Sequence, residues 1–303
     1  MALYVVGEYL REIRIRKGYS QEAVCYNICT SATLSRIENG HQYPGKRMID
    51  KLLERLGVET EVFDLFVNAE ELETYELIQM MSRNIATSNM KELERQIKIL
   101  ESLPERRLKS EKQYLLWAKG VFEASKGSEP YDVYKIFMEA LYVTLPEFDG
   151  ENPLKNKLLT YDEILLINGI AVQYAKMGKI AKAIRLGMWL KEYMEEKTTD
   201  GKMKAIKYPA ITYDLSNWYG KAERYYEALE MAEAGISYCI NYGNITALPL
   251  LLFNKACAIS KIDSVENAEK YYRQSITIFE VTNQYDKAQM VIDWCEKQYQ
   301  ILF

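Results

Sequence analysis

Histidine is nearly missing from this chain: His41 is the only one in 303 residues. A single imidazole offers little to a His-based metal site or to a nucleophile that needs a His base. The five cysteines, Cys25, Cys29, Cys239, Cys257 and Cys295, are odd in number and scattered. That excludes a disulfide framework and points to buried, reduced thiols, although the spacing of Cys25 and Cys29 leaves a redox pair as one alternative. Long apolar runs are also missing. The longest, "LPLLLF" at 248–253, is far too short to span a bilayer, so no membrane partner is expected. The opening "MALYVVGEYLREIR" has no basic region before its apolar residues and no small-residue cleavage site. No signal peptide is expected, and the expected location is cytoplasmic. Gly-rich phosphate loops, metal constellations and nucleophile motifs are absent as well, so the expectation is a non-enzyme with no cofactor and no metal.

What is there begins with an uneven charge. The net charge is −4, but residues 1–57 hold nine Lys/Arg against six Asp/Glu, and the rest holds 30 against 37. A head at +3 on a body at −7 suits a nucleic-acid partner for the head.

Apolar residues recur at three and four, without sustained strand alternation, which predicts an all-α chain. Four short helices fit the head: Val6 to Lys17, stopped by Gly18; Ser20-capped Gln21 to about Ile28; a third capped by Thr30 and stopped by Gly40; and Lys46 to Leu56, ended by Gly57. The third, "TSATLSRIENG", places Ser31, Ala32 and Thr33 at its tip and turns Leu34 and Ile37 toward a core. Small polar residues at a helix start allow close approach to base edges, as in the second helix of a helix-turn-helix. Ser31, Ala32, Thr33 and Arg36 are the base-reading candidates, with Thr30 and Ser35 beside them; Arg36 could bind guanine bidentately. Gln42, Lys46 and Arg47 follow that helix and are expected on the DNA backbone. The boundaries expected are a DNA-binding head over 1–57, a connecting helix over 58–72 and a repeat body over 73–303.

The body carries an internal pattern of small and apolar residues: Ile167, Ala171, Tyr174, Ala183; Thr212, Ser216, Tyr219, Ala228; Leu252, Ala256, Ile259, Ala268. A weaker copy runs from Trp117 to Ala140 and the faintest from Leu77 to Ile97. Small residues let the paired helices of a repeat approach closely. The pattern resembles a tetratricopeptide (TPR) array with extended repeats, of about five helix pairs, capped by residues 284–303.

"LREIRIRKGYSQEAV" followed by "SRIENG" resembles the Cro/lambda-repressor-like (XRE-type) DNA-binding domain. The resemblance implies that Gln21 and Asn39 each touch a phosphate and that Arg14 pairs with a buried Glu38. "IC" followed by hydroxylated residues, ahead of a TPR body in a chain of this length, resembles the Rgg/PlcR-type peptide-pheromone regulators of Gram-positive bacteria, the RRNPP group. That resemblance implies a quorum-sensing transcription regulator, a homodimer on paired half-sites of double-stranded DNA, switched by a short signalling peptide. Inward positions on the first helices of the repeats hold Asn168, Tyr213, Asn217, Phe253 and Asn254. Asparagine can donate to and accept from a peptide main chain at once, the role the family implies for Asn168 and Asn217, while Tyr213 and Phe253 would supply apolar pockets. The alternative is a body that serves as an interaction or dimerisation scaffold without a peptide ligand.

Overall fold

Each helix of the head starts and stops at a residue chosen by local chemistry. In the computed structural model, which describes residues 2–60, 69–103, 108–198 and 201–300 (side chains of 2–5, 69–71 and 202 excepted), the head forms α1 (Ala2–Arg16), α2 (Gln21–Cys25), α3 (Ser31–Glu38) and α4 (Lys46–Arg55). Ser20 caps α2 by accepting the Ala23 N–H, and Thr30 caps α3 by accepting the Thr33 N–H at 3.1 Å, which satisfies donors that have no partner inside a helix. Gly18, Gly40 and Gly57 each take positive φ after α1, α3 and α4. α2 is shorter than the periodicity predicts: it stops at Cys25, and Asn27 turns the chain at φ 54°.

Every regular element among the described residues is helical, and eleven more helices follow. They are α5 (Ala69–Ala86), α6 (Met90–Ser102), α7 (Lys109–Ser125), α8 (Pro130–Tyr142), α9 (Tyr161–Lys176), α10 (Ile180–Lys197), α11 (Gly201–Lys221), α12 (Tyr225–Tyr242), α13 (Leu248–Ile262), α14 (Val265–Val281) and α15 (Tyr285–Tyr299). Of the connecting helix expected over 58–72, residues 58–60 are not helical and 61–68 lie outside the described residues. The chain divides into two compact units, Met1–Met177 with Lys197–Thr199, and Gly178–Glu196 with Asp200–Phe303. The head therefore shares its unit with the first body helices, and the division falls within the repeat region.

In the first unit the head closes around Leu10, Ile13, Leu34, Ile37, Ile49 and Leu52, all at most 1% exposed, and Leu158 of the body joins this core. Each such side chain contributes about 1.5–3 kcal/mol by leaving water. A Cβ on Gly7 would lie 1.9 Å from the Ile37 carbonyl oxygen, so α1 rests directly on the backbone of α3. Further along, the Phe137 ring of α8 sits against both Gly120 of α7 and Gly169 of α9. In the second unit the repeat pattern is buried as its small residues require: Thr212, Ser216, Ala228, Ala256 and Ala268 are at most 3% exposed. Ser216 donates to the Ala228 carbonyl at 2.7 Å, tying α11 to α12.

Candidate nucleic-acid interface and ligand pocket

α3 is divided sharply between two faces. Leu34, Ile37 and Glu38 are buried, whereas Thr30, Ala32, Arg36 and Asn39 are exposed and Ser31, Thr33 and Ser35 lie partly open. Thr30 and Thr33 share a hydroxyl contact of 2.9 Å, and Ser31 Oγ lies 3.6 Å from Cys25 Sγ. The Arg36 side chain has no ion-pair or hydrogen-bond partner among the described residues, so its guanidinium fork is open.

Beneath this face, Glu38 accepts from Arg14 Nε at 2.6 Å, from Arg14 Nη2 at 2.8 Å and from Gln21 Nε2 at 2.7 Å. The hydrogen bonds that Arg14 donates to Glu38 raise the Arg14 pKa further. Arg14 also donates to the Tyr19 carbonyl at 3.0 Å, so the buried Glu38 carboxylate ties α1, α2 and α3 together, and Arg14 adds the turn before α2. Gln21 spends one amide hydrogen on Glu38 and keeps a second donor. Asn39 Nδ2 donates to the Ser35 carbonyl at 2.8 Å, closing the end of α3.

Lys46 and Arg47 require a correction. Expected on the DNA backbone, they are 1% and 7% exposed. Lys46 Nζ donates to Asp50 at 2.7 Å and to the Thr60 carbonyl at 3.1 Å. Arg47 Nη2 donates to the Ser110 carbonyl at 3.3 Å, and its Nε lies 3.8 Å from Glu111 Oε1. Their charges are neutralised inside the protein, not offered to a phosphate. Gln42 remains partly open in the turn between α3 and α4.

The same inward turn holds along α4. Lys51 Nζ lies 2.9 Å from Glu54 and 2.7 Å from Asp162. Burial alone would lower the Lys51 pKa, but the carboxylates of Asp162 and Glu54 outweigh it and the pKa rises. Arg55 Nη2 reaches both oxygens of Glu163, at 2.9 and 3.2 Å, with the two side chains 1% and 0% exposed. Glu163 also accepts the Thr160 N–H at 2.7 Å in the capping box of α9, and Glu54 accepts the Tyr161 N–H at 3.0 Å. Asn27 donates to the Thr144 carbonyl and Tyr26 to Glu147, at 2.8 and 2.9 Å. None of these docking contacts is visible in the head's own sequence pattern.

In the second unit, a cavity of about 310 Å³ opens between α11, α12, α13 and α15. Asn217, Phe253 and Asn254 of the expected peptide-binding set line it together. Tyr213 is not among its lining residues; its carbonyl accepts from Asn254 Nδ2 at 3.2 Å. Asn168 lies on α9 in the first unit and is likewise not part of this pocket. The sequence reading missed Lys221, Tyr225, Lys261, Trp294 and Tyr299, which also line it. Trp294 makes edge-to-face contacts with Phe253 at 5.1 Å and with Tyr299 at 5.4 Å. Lys221 stands one helical turn beyond Asn217, a spacing that could have flagged it once the register was fixed.

Comparison with known proteins adds two kinds of finding. The family model described as a helix-turn-helix domain matches residues 5–66, and the one described as the RNPP family C-terminal domain matches residues 78–301. No curated protein matches at the level of sequence. Among solved structures, Bacillus thuringiensis PlcR in complex with the peptide PapR7 and DNA is similar at 18% identity and a TM-score of 0.64, over 95% of this chain and 98% of that one. The apo form of the same protein is similar at 16% identity and a TM-score of 0.61, over 96% and 98%. At these identities the likeness concerns the fold. Among the described residues, no helix is long and apolar enough to cross a membrane.

Proposed function

The chain belongs to the RNPP family, and from that premise we propose that it is a sequence-specific DNA-binding transcription regulator whose repeat region binds a short signalling peptide and so changes DNA binding or activation. One observation carries the reading: a helix-turn-helix head exposes the open cation Arg36 and a rim of small polar residues on α3, in a chain whose body holds an aromatic-walled cavity with asparagines at its edge.

Residues 1–57 act as the DNA-binding head, 58–72 as the connection and 73–303 as the sensing body. On duplex DNA, Ser31, Ala32, Thr33 and Arg36 enter the major groove, and Thr30, Ser35, Gln21 and Asn39 border it. The Gln21 amide hydrogen not spent on Glu38 is available to a phosphate. Asn217 and Asn254 meet the peptide main chain, and Phe253 packs against a side chain. A homodimer matches paired half-sites, and a protein that reads chromosomal DNA works in the cytoplasm. PlcR, of similar fold, is seen with peptide and DNA together, which supports the pairing of partners. The peptide acts only through a difference in its affinity for two arrangements of the protein.

Selection of duplex sites from a random pool by the full chain, followed by affinity measurement with and without synthetic peptides, tests this. Enrichment of a two-fold repeated site whose affinity or transcriptional output shifts with a peptide is expected. No enriched site, or one indifferent to every peptide, overturns the reading.

A further inference from the structure

The cavity of the second unit carries charge of one sign. Lys221, in the last turn of α11, and Lys261, in the last turn of α13, both line it. Neither has a carboxylate partner among the described residues, and no Asp or Glu is among the described residues lining the cavity. This sets them apart from the paired cations of the same unit: Lys191 with Glu195, Arg224 with Glu227, Lys255 with Glu233 and Arg273 with Glu269. Burial pushes the Cys257 thiol up to about 12, so it adds no negative charge at neutral pH.

Beside the lysines stands the wall of Phe253, Trp294 and Tyr299, and the floor is small, with Ala228 and Ala258 buried. The Asn217 side chain makes no hydrogen bond with another described residue, and Asn254 keeps an acceptor after donating to Tyr213. The volume, about 310 Å³, is at the lower end of the range for small-ligand sites, roughly 300–1,000 Å³. It has room for one large apolar side chain and a neighbouring polar group.

The geometry points to a carboxylate anchor: Lys221 and Lys261 together bind a carboxylate of the peptide while the adjacent aromatic or leucine side chain fills the space against Trp294 and Phe253. This rests on the peptide reading above and names the chemistry of the peptide's anchoring end. The shared chemistry is a carboxylate, supplied by the C-terminus or by an Asp or Glu side chain. Lysine is a compact point charge that serves either source without bidentate geometry, and the interaction weakens with salt.

The test uses the full chain and pools of synthetic hexapeptides, each with one fixed position, prepared both as free acids and as C-terminal amides. Binding is expected to select an aromatic or leucine residue beside a carboxylate. The double variant Lys221→Met/Lys261→Met is expected to lose at least about tenfold in affinity for the selected peptide, while Lys221→Arg/Lys261→Arg retains it. Loss on amidation identifies the terminal carboxylate, and loss on Asp→Asn or Glu→Gln identifies a side chain. Selected peptides that tolerate both neutralisations, or that bind the methionine variant unchanged, overturn the anchor and leave the peptide reading standing. If no pool binds at all, the peptide reading falls and the anchor falls with it.

Discussion

α3 and α4 are neighbours in one small head, both begin with polar residues, and both carry basic side chains, yet they use charge in opposite ways. α4 has four cations, Lys46, Arg47, Lys51 and Arg55, and all are buried against Asp50, Glu111, Glu54, Asp162 or Glu163. α3 has one, Arg36, exposed with no partner among the described residues. A count of basic residues therefore misplaces the DNA-facing surface. What locates it is the absence of a counter-charge, because a cation already neutralised inside the fold releases no counterion from DNA.

Mutations can break this contrast, and the largest effect is expected on α4. Arg55→Ala leaves Glu163 buried and unpaired and should cost about 3–5 kcal/mol in denaturant unfolding of the full chain. An unchanged midpoint would mean that the head is not held by this pair. Glu38→Ala strips two hydrogen bonds from the Arg14 guanidinium and should cost about 2–3 kcal/mol, again read in unfolding. Gly7→Ala forces α1 off the α3 backbone and should cost about 1–3 kcal/mol, with weakened DNA binding as α3 shifts; wild-type stability would show that the two helices separate freely.

Arg36→Ala belongs to the other side of the comparison. It should weaken binding to the selected DNA site by about 1–3 kcal/mol and relax preference at one base pair, while the unfolding midpoint stays put. A mutant that melts early but binds DNA normally would reverse the roles assigned to α3 and α4. The smallest effect concerns the thiols beneath α3. Burial, with the neighbouring Cys25, pushes Cys29 up to about 12, so little thiolate exists at pH 7. Iodoacetamide should label Cys29 slowly there and faster as the pH rises; rapid labelling at pH 7 would revive a redox role for the pair.

The head's caps were legible because they are local. Ser20 and Thr30 each answer a backbone donor three residues on, and no distant information is needed. The small residues of the repeats were legible for a related reason: Ser216 and Ala228 meet across one turn of chain. The Arg14–Glu38 pair came from family resemblance, not from spacing. The burial of Arg47 was not legible, because Ser110 and Glu111 lie more than 60 positions away; that of Lys46 was not, because an i,i+4 pair with Asp50 reads equally well as a solvated surface pair. Lys221 and Lys261 were passed over because an isolated lysine reads as a solvated side chain until the helices beside it are known to enclose a cavity.

One contact shapes how the molecule can be taken apart. Glu163 fastens the first turn of α9 and grips Arg55 with the same carboxylate, so the start of that helix and the seating of the head are a single cooperative event. A body fragment beginning after residue 60 would open α9 with Glu163 stripped of its cation, and a head fragment ending there would expose Arg55 without its carboxylate. The severed head would then carry a cation that the intact chain keeps covered, and its affinity for polyanions would overstate the non-specific part of DNA binding.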